Sequence, residues 1–493
     1  MKKMKKTKRV FKQVVSLALC LVMVFAITSC GKQSASTEKD GVVTLKWIFP
    51  GDRQADQDEV WAEFNKQLEK KANLNVEIEM VEASYDEKAK MMLATGEDYD
   101  ICFTSSWSNN YLNAVNKGAY LPLDEYIDKK SDFYTYMPEY VWNSVKVDGK
   151  IYGIPSYQLM TYQNSVTMAQ AVNEQCGFNL EDNGEVVPFD KVAEMVKTAY
   201  EKKPSLYEGK TLYATGAFNK LLNYESFSGI PNIVISKTSK DYKIELDVET
   251  DEYKNMLARN RDWYNKGYIR KDILSAKGTP GKFDIAVAFS TYKPGYQREI
   301  YASYNMPVLV RPLTEPYVEM GCGQKSAMAV LRTSKHAKEA VKFLSLMHTD
   351  KDLYNLFIYG IEGKHYDKDE NGVVKVKDNT GYNMKTQWMF GNQFNAYYTE
   401  GQDTTAWEKT DENNRSALQS PLMGFSPDVS SLQTEIAQCS SINTEYQYVT
   451  QGAVEYEKLY KEYINKLKAA GVDNIKKEIQ KQVDEWVKEN KKK

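Results

Sequence analysis

Three residues have the chemistry to hold a polar ligand: Asp52, Arg53 and Trp107. The first two follow an apolar run from Val42 to Phe49, and Trp107 follows a second run from Tyr99 to Thr104. A carboxylate accepts hydrogen bonds from two hydroxyl groups, and a guanidinium donates in a fixed fork. An indole offers a flat apolar face. Together these groups suit a polyhydroxylated ligand. The alternatives are a solvated turn for the Asp-Arg pair and a core position for Trp107.

Strands and helices alternate in the segment that carries these residues. The predicted order is a strand over Val42–Phe49, a helix through Trp61, Phe64 and Leu68, a strand through Val76, Ile78 and Met80, a helix over Tyr85–Thr95, and a strand over Tyr99–Thr104. This β-α-β-α-β order indicates a largely parallel sheet covered on both faces. Ligands bind such sheets beyond the carboxyl ends of the strands, which are the loops Pro50–Gln54 and Ser105–Asn109.

The first forty residues have the pattern of a targeting segment. Seven basic residues and no acidic ones precede an apolar run from Val14 to Ile27 that is too short to span a bilayer. Ile27-Thr28-Ser29-Cys30 resembles the bacterial lipobox, which implies cleavage before Cys30 and acylation of that cysteine. We therefore expect a lipoprotein signal peptide over 1–29, a flexible polar tether over 30–41, and a body held at the outer face of the cell membrane by lipid alone. The alternative is an ordinary signal peptide with an accidental cysteine.

The composition of the remaining chain excludes several classes of protein. Without its first 29 residues the chain has 58 basic against 67 acidic residues, a net charge of −9, so nothing attracts it to nucleic acid. Its length predicts at least two domains. Four widely spaced cysteines remain in the body, which excludes a disulfide-dense scaffold and a zinc ribbon. We expect them to be buried free thiols, although one disulfide is an open alternative.

Several segments resemble, in order and spacing, the extracellular solute-binding proteins of sugar ABC importers. These segments are Thr44–Arg53, Leu93–Ile101, Gly118–Leu123 and Gly149–Pro155. Two later segments, Tyr359–Tyr366 and Glu478–Gln482, are similar to the LipO-type branch of these lipoproteins. The likeness thus extends over nearly the whole mature chain.

The resemblance implies an α/β, two-lobed type II fold like that of periplasmic binding proteins, in which each lobe is a mainly parallel sheet flanked by helices. The expected first lobe comprises 42–154 and 306–348, the second lobe 155–305 and 349–425, and a C-terminal helical region 426–493. The implied partners are a small carbohydrate ligand and the subunits of an ABC permease. The protein is expected to be a monomer without a cofactor.

The resemblance also extends the set of candidate ligand-binding residues. Asp52 and Arg53 match polar ligand-binding positions of the family. Tyr157, Tyr162 and Tyr292 stand where the family often places aromatic residues that stack on a ligand or hydrogen-bond to it. Trp388, in the polar and aromatic segment Gln387–Asn395, is a similar candidate. A structural role is the alternative for each of them.

A surface-anchored enzyme is the competing class, for example a glycoside hydrolase with two carboxylates, which 67 acidic residues cannot exclude. The sequence contains no G-x-S-x-G, H-E-x-x-H or P-loop motif, and its only histidines are His336, His348 and His365. The first two stand at the ends of a predicted helix, which indicates surface positions. A binder of a non-sugar solute such as a peptide is a third possibility.

The segment Asp367–Asp378 matches most of an EF-hand calcium loop but has Lys at the ninth position and Asp at the twelfth, where a bidentate Glu is expected. Because Val374 and Val376 alternate after Asn371-Gly372, we favour a hairpin without a metal. Hairpins are also predicted at Asp148-Gly149 and at Asp182–Glu185.

Overall fold

The computed structural model of the chain describes residues 41–207, 212–275, 285–299 and 306–490. The expected signal peptide, Cys30 and nearly all of the tether lie outside these ranges. Within them, no helix has both the length and the apolar character needed to cross a bilayer.

The strands are β1 (Val43–Pro50), β2 (Leu74–Val81), β3 (Ile101–Thr104), β4 (Lys146–Val147), β5 (Lys150–Ile151), β6 (Ile154–Pro155), β7 (Asn164–Ala169), β8 (Tyr213–Thr215), β9 (Tyr224–Ser226), β10 (Ile233–Ser236), β11 (Ile244–Leu246), β12 (Ile285–Thr291), β13 (Val308–Pro312), β14 (Tyr317–Val318), β15 (Ala327–Val330), β16 (Tyr366–Lys368), β17 (Val374–Val376) and β18 (Leu418–Gln419).

The α-helices are α1 (Gln57–Ala72), α2 (Tyr85–Thr95), α3 (Tyr111–Asn116), α4 (Asp132–Thr135), α5 (Glu139–Asn143), α6 (Gln170–Cys176), α7 (Phe189–Lys202), α8 (Asp251–Lys266), α9 (Ala337–Thr349), α10 (Lys351–Tyr359), α11 (Ala406–Ser416), α12 (Gln433–Glu445), α13 (Gln447–Thr450), α14 (Tyr456–Ala469) and α15 (Val472–Asn490). Short 3₁₀ turns cover Ser205–Tyr207, Asp247–Glu249, Cys322–Lys325, Gln387–Met389, Gln393–Asn395 and Ser430–Leu432.

The first lobe is built on a five-stranded sheet in the order β2-β1-β3-β15-β6. β1 pairs in parallel with β2 and β3, whereas β15 runs antiparallel to β3 and β6. The β-branched and aromatic residues of β1 favour a strand. Helix α2 ends at Gly96, whose φ of 68° is the left-handed conformation that glycine adopts readily. The predicted β-α-β-α-β order is confirmed, and the carboxyl ends of β1 and β3 share one edge of the sheet.

The core of the first lobe surrounds Trp47 of β1. Its ring centroid lies 5.2 Å from that of Phe357 on α10 and 5.5 Å from that of Phe390. The boundary that assigned 349–425 to the second lobe is therefore wrong for 349–396. Helix α10, the β16–β17 hairpin and the segment through residue 396 bury their apolar side chains in the first core instead.

The second lobe contains a four-stranded sheet in the order β13-β7-β12-β8. β7 is antiparallel to both β12 and β13, and β12 is parallel to β8. The expectation of a mainly parallel sheet is thus wrong for this lobe. The boundary at 306 is also wrong, because β13 pairs with β7 through Pro312 and the chain returns to the first lobe only after that residue.

The C-terminal helices form a third core with the antiparallel sheet β11-β10-β9. Helix α15 packs on β11, and Ile475, Ile479 and Val483 on one of its faces are completely buried, whereas Trp486 on the same face is only partly buried. A helix whose apolar residues recur every three or four positions must cover another apolar surface. Here that surface is the sheet of β9, β10 and β11, residues 224–246, which extends from the second lobe.

The hinge between the lobes is made of paired extended segments. Tyr162 donates its backbone N–H to the carbonyl of Tyr317 at 2.7 Å, and β14 pairs in parallel with β18. Glu225 of β9 reaches this point with a carboxylate that is almost completely buried. It accepts hydrogen bonds from the Tyr317 hydroxyl (2.6 Å), the Ser420 hydroxyl (2.5 Å) and the Met320 N–H (2.6 Å). One carboxylate therefore joins the hinge to the sheet beneath the C-terminal helices.

Helix α11 lies across the first hinge segment. The Asn414 side chain donates to the carbonyl of Gln158 at 2.7 Å and accepts from the N–H of Met160 at 2.9 Å. Its backbone carbonyl accepts from the Tyr140 hydroxyl at 2.9 Å. The helix is thus fastened to the hinge and to the first lobe at once.

Several local predictions are confirmed. The four body cysteines, Cys102, Cys176, Cys322 and Cys439, are buried and unpaired. Two of the predicted hairpins form, as β4–β5 around Asp148-Gly149 and as β16–β17 around Asn371-Gly372.

Two local predictions are wrong. Asp182–Glu185 does not join paired strands in the described chain, because the Arg311 guanidinium binds the carbonyls of Glu181 and Glu185 and holds the segment as an isolated loop. His348 is buried rather than exposed. The last turn of α9 points it into the first core, where an imidazole can be accommodated between aromatic rings.

Candidate functional site

The loop after β3 presents Trp107 at the carboxyl edge of the first sheet. The Ser105 hydroxyl accepts hydrogen bonds from the N–H groups of Trp107 (3.2 Å) and Ser108 (2.7 Å) and so holds a tight turn. The N–H of Ser106 donates to the carbonyl of Gln324 at 2.7 Å, which fixes the loop to the segment before β15. Trp107 remains 59% exposed, so the alternative of a core tryptophan is wrong.

Trp388 completes an aromatic pair with Trp107. The two ring centroids are 6.0 Å apart and the planes are inclined at 51°. The Trp107 indole N–H donates to the carbonyl of Lys325 at 3.0 Å, and Phe103 backs the ring at 5.9 Å. Trp388 lies in the turn Gln387–Met389, which packs against the first core. The two indoles form an angled, rigid apolar surface of the kind on which a sugar ring can stack.

The hinge adds charged and phenolic groups beside this pair. The ammonium group of Lys325 lies 2.5 Å from the Glu319 carboxylate and 5.7 Å from the centroid of the Tyr162 ring. Burial alone would lower the pKa of Lys325, but the neighbouring Glu319 outweighs it and raises that pKa above its ordinary value. Lys325 is therefore an ammonium donor at neutral pH, and Glu319 is an acceptor. We call Trp107, Trp388, Tyr162, Lys325 and Glu319 the Trp107 cluster.

Two members of the Trp107 cluster were missed by sequence reasoning. Lys325 ends a 3₁₀ turn, Cys322–Lys325, and Glu319 follows the two-residue strand β14. Neither stands in a periodic pattern or a motif, so the sequence contains no signal that separates them from the other charged residues. Only the return of the chain through the hinge brings Lys325 and Glu319 next to Tyr162 and Trp107.

The structure places Asp52 and Arg53 on the same sheet edge as Trp107, in the loop after the neighbouring strand β1. Both side chains are exposed. Arg53 pairs with Asp58 in the first turn of α1 at 2.8 Å, and its N–H donates to Glu82 at 3.3 Å. These contacts match the alternative of a solvated turn. The loop nevertheless lies at the sheet edge that a bound ligand would face. Their role in binding remains a prediction.

Tyr157 and Tyr292 lie apart from the Trp107 cluster. Tyr157 is buried, and its hydroxyl donates a hydrogen bond to Asp411 at 2.6 Å. The same residue lines a cavity beside α11. Tyr292, also buried, lines a separate polar cavity of 600 Å³ with Gln163 and Asp182. Burial raises the pKa of Asp182 above its ordinary value. Of the predicted aromatic residues, the structure thus brings together Trp107, Trp388 and Tyr162.

The EF-hand-like segment is a hairpin whose oxygen atoms are already engaged. Asp369 accepts hydrogen bonds from the N–H groups of Asn371 and Val373, both at 2.9 Å, and Lys377 pairs with Asp367 at 3.1 Å. Among the residues that the structure describes, no group of three or more His, Cys, Asp or Glu side chains could hold a metal ion.

Comparison with known proteins supports the interpretation of this geometry. A family model described as a domain of unknown function, DUF3502, matches residues 421–488, which are the C-terminal helices. A carbohydrate ABC transporter substrate-binding protein from Streptococcus pneumoniae serotype 4 is 26% identical over the full length of both chains.

Solved structures extend the likeness to the fold. The N-glycan transport solute-binding protein NgtS from Streptococcus pneumoniae is 25% identical, with a TM-score of 0.78 over 90% of this chain and 99% of that one. NgtS in complex with Man1GlcNAc matches the same shares at 24% identity with a TM-score of 0.67. The resemblance seen in the sequence is thereby confirmed: the chain is a relative of the substrate-binding proteins of carbohydrate ABC importers and has their two-lobed type II fold.

Proposed function

We propose that the protein captures a carbohydrate, an oligosaccharide, at the Trp107 cluster and delivers it to the permease of an ABC importer. The observation that supports this most is the pairing of exposed Trp107 with partly buried Trp388 at the carboxyl edge of the first sheet, next to the hinge. Sugar rings present apolar C–H faces to indoles and hydroxyl groups to charged side chains. Lys325 and Glu319 supply the latter.

The hinge supports a binding cycle based on closure. A ligand that contacts both lobes stabilises the closed arrangement relative to the open one, and this difference moves the equilibrium between them. NgtS, which is similar to this chain, has been solved in complex with Man1GlcNAc and with Man5GlcNAc. Fragments of N-glycans are therefore the first ligand class to test.

We further propose that the mature protein is a monomer on the outer face of the cell membrane, attached by lipid on Cys30. The lipobox-like sequence before Cys30 supports acylation of that cysteine, and the polar residues that follow Cys30 provide a tether. Mass spectrometry of the membrane-extracted protein should find a diacylated or triacylated cysteine at the mature N-terminus. A free N-terminus elsewhere would contradict the anchor without affecting the sugar-binding proposal.

A thermal-shift screen with glycans tests the proposed function. A ligand that binds only the folded state raises the melting temperature by mass action. We expect a rise with an oligosaccharide containing mannose and N-acetylglucosamine, and recovery of the glycan unchanged by mass spectrometry. Cleavage of the glycan would instead support the surface-anchored hydrolase. A rise with peptides but with no glycan would contradict sugar capture.

A pair of variants localises the binding site. Trp107→Ala should abolish most of the glycan-induced rise because one wall of the aromatic surface is lost. Met91→Ala is the matched control, since Met91 is a similarly exposed apolar residue of the first lobe, 55% against 59% for Trp107. An equal loss in both variants would show that exposed apolar area, and not the Trp107 cluster, governs the response.

A further inference from the structure

Apart from the Trp107 cluster, the structure contains a second concentration of aromatic rings next to α11. It lines a cavity of 510 Å³ between the first lobe, the first hinge segment and this helix. We call it the α11 cavity. Its volume falls in the range of about 300–1,000 Å³ that is typical of small-molecule sites. None of its lining residues belongs to the Trp107 cluster.

The wall of the α11 cavity is a continuous series of five rings. Successive ring centroids are separated by 5.5 Å from Tyr136 to Tyr157, 5.1 Å from Tyr157 to Phe394, 6.1 Å from Phe394 to Trp407, and 5.7 Å from Trp407 to Tyr398. The last pair is stacked, with planes inclined at only 16°. The rings come from the first lobe, the hinge and α11, so tertiary folding creates a surface that no single segment contains.

Hydrogen bonds hold these rings in place. The Tyr157 hydroxyl donates to Asp411 at 2.6 Å, the Trp407 indole N–H to the carbonyl of Ala396 at 3.2 Å, and the Tyr398 hydroxyl to Glu408 at 2.6 Å. A site whose side chains are already ordered loses little conformational entropy when a ligand binds. The aromatic wall is therefore preorganised.

The rim of the α11 cavity carries both donors and acceptors. Lys351 and Lys368 lie 5.3 and 4.8 Å from the centroid of Tyr397, and Arg415 pairs with Asp411 at 2.7 Å. A carboxylate such as Asp411 has about four acceptor sites, of which Tyr157 and Arg415 use two. Aromatic faces flanked by hydrogen-bond donors and acceptors suit a ligand that has both apolar faces and equatorial hydroxyl groups. A pyranose is such a ligand.

We propose that the α11 cavity is a second carbohydrate-binding site, separate from the Trp107 cluster and able to hold one or two sugar rings. This goes beyond the proposed function, which requires a single site between the lobes. Because α11 is fastened to the hinge through Asn414, a sugar in this cavity contacts the helix that spans the hinge. Tyr157, predicted from the sequence as a ligand contact, is 1% exposed and supports this second site by holding Asp411 through its hydroxyl.

Fluorine NMR of the full chain labelled with 5-fluorotryptophan tests the proposal. The chain contains eight tryptophans, and the signals of Trp407, Trp107 and Trp388 are assigned from single Trp→Phe variants. The labelled protein is titrated with mannose, N-acetylglucosamine and galacturonic acid, which present hydroxyl, acetamido and carboxylate groups. We expect at least one sugar to shift the Trp407 signal with a midpoint different from that of Trp107 and Trp388.

Two substitutions on α11 provide a matched comparison. Glu408→Gln removes the charge that holds Tyr398 in the cavity wall, and should raise the midpoint at Trp407 at least threefold. Glu412→Gln changes a residue of the same helix that lines the polar cavity on its other side, and should leave that midpoint unchanged. Equal effects of both substitutions would overturn the assignment of Glu408 to the site.

The outcomes separate this proposal from the proposed function. If Trp107 and Trp388 respond to the sugars but Trp407 does not, the second site is refuted and the Trp107 cluster stands. If Trp407 alone responds, the second site stands and the location of the proposed function is wrong. If no signal responds to any of the three sugars, the second site is refuted. The titration itself uses the wild-type protein, and the Trp→Phe variants serve only to assign its signals.

Discussion

Replacing His348 with asparagine is expected to make the protein less sensitive to mild acid. The imidazole is 3% exposed, its centroid lies 5.2 Å from that of Phe133, and its Nδ1 is 2.5 Å from the Tyr136 hydroxyl. Burial in this aromatic surrounding lowers the pKa of His348 from 6.5 to about 3. The folded protein therefore keeps a neutral imidazole through a pH range in which the unfolded chain takes up a proton.

The magnitude follows from linkage. Since the pKa is lowered in the folded state, the stabilisation is complete above pH 6.5 and is lost as pH falls from 6.5 to about 3. Each pH unit in this range changes the free energy of unfolding by about 1.4 kcal/mol, so about 3 kcal/mol is lost between pH 6.5 and 4.5. His348→Asn keeps a hydrogen-bonding group near Nδ1 for Tyr136, but leaves part of the ring volume empty. We expect it to cost about 1–2 kcal/mol at pH 7.

Urea unfolding at pH 7 and pH 4.5 measures this difference, and tryptophan fluorescence follows it because Trp142 contacts Phe133 in the same core at 5.6 Å. The loss of unfolding free energy from pH 7 to pH 4.5 should be about 3 kcal/mol smaller in His348→Asn than in the wild type. His336→Asn, at the start of the same helix α9, is the control and should retain the wild-type loss. Equal losses in the wild type and His348→Asn would refute the account of a buried neutral imidazole.

Further predictions concern the site, the hinge and the thiols. Trp388→Ala should weaken glycan binding by about tenfold or more, which is about 1.4 kcal/mol; isothermal titration calorimetry would measure it, and unchanged affinity would exclude Trp388 from the site. Glu225→Ala should lower the unfolding free energy by about 3–5 kcal/mol because three buried donors lose their acceptor, whereas Glu225→Gln should cost much less. Burial raises the pKa of Glu225, so the folded state holds its proton more tightly than the unfolded state. The wild type should therefore lose stability as pH rises from about 4.5 through this raised pKa, and Glu225→Gln should not; urea unfolding from pH 4 to 8 distinguishes the two. Burial raises the pKa of Cys102 to about 12 and that of Cys322 to about 11. Neither should react with iodoacetamide at pH 8 until urea unfolds the protein, and peptide mapping that finds alkylation without urea would contradict their burial.

Local structure was predictable where the determinants are local. Helix α2 was predicted with its observed bounds, Tyr85–Thr95, because its apolar spacing and the terminal Gly96 both act within one segment. The parallel pairing of β1, β2 and β3 followed from the short helical connections between them. The exposure of Trp107 was not decided by the sequence, since an aromatic residue after a strand suits either a core or a binding surface.

The assignment of segments to cores was less predictable. The apolar pattern of α10 shows that one face must be buried, but it does not identify Trp47 as the neighbour that covers Phe357. The antiparallel pairing of β7 and β13 likewise depends on the direction in which the chain crosses the hinge, which no strand encodes. Lys325 and Glu319 became candidates only when the return segment brought them to the indoles.

The third core joins residues 227–257 to residues 422–483. During synthesis and export, the β9–β11 sheet therefore emerges long before the helices that cover it, and its apolar face stays uncovered until helix α15 has followed. Contacts so distant in sequence form late and slowly, and an unpaired sheet is prone to aggregate in the interval. Helix α15 thus completes the third core, so a premature stop before α15 would yield an insoluble product even though every ligand-binding candidate had already been made.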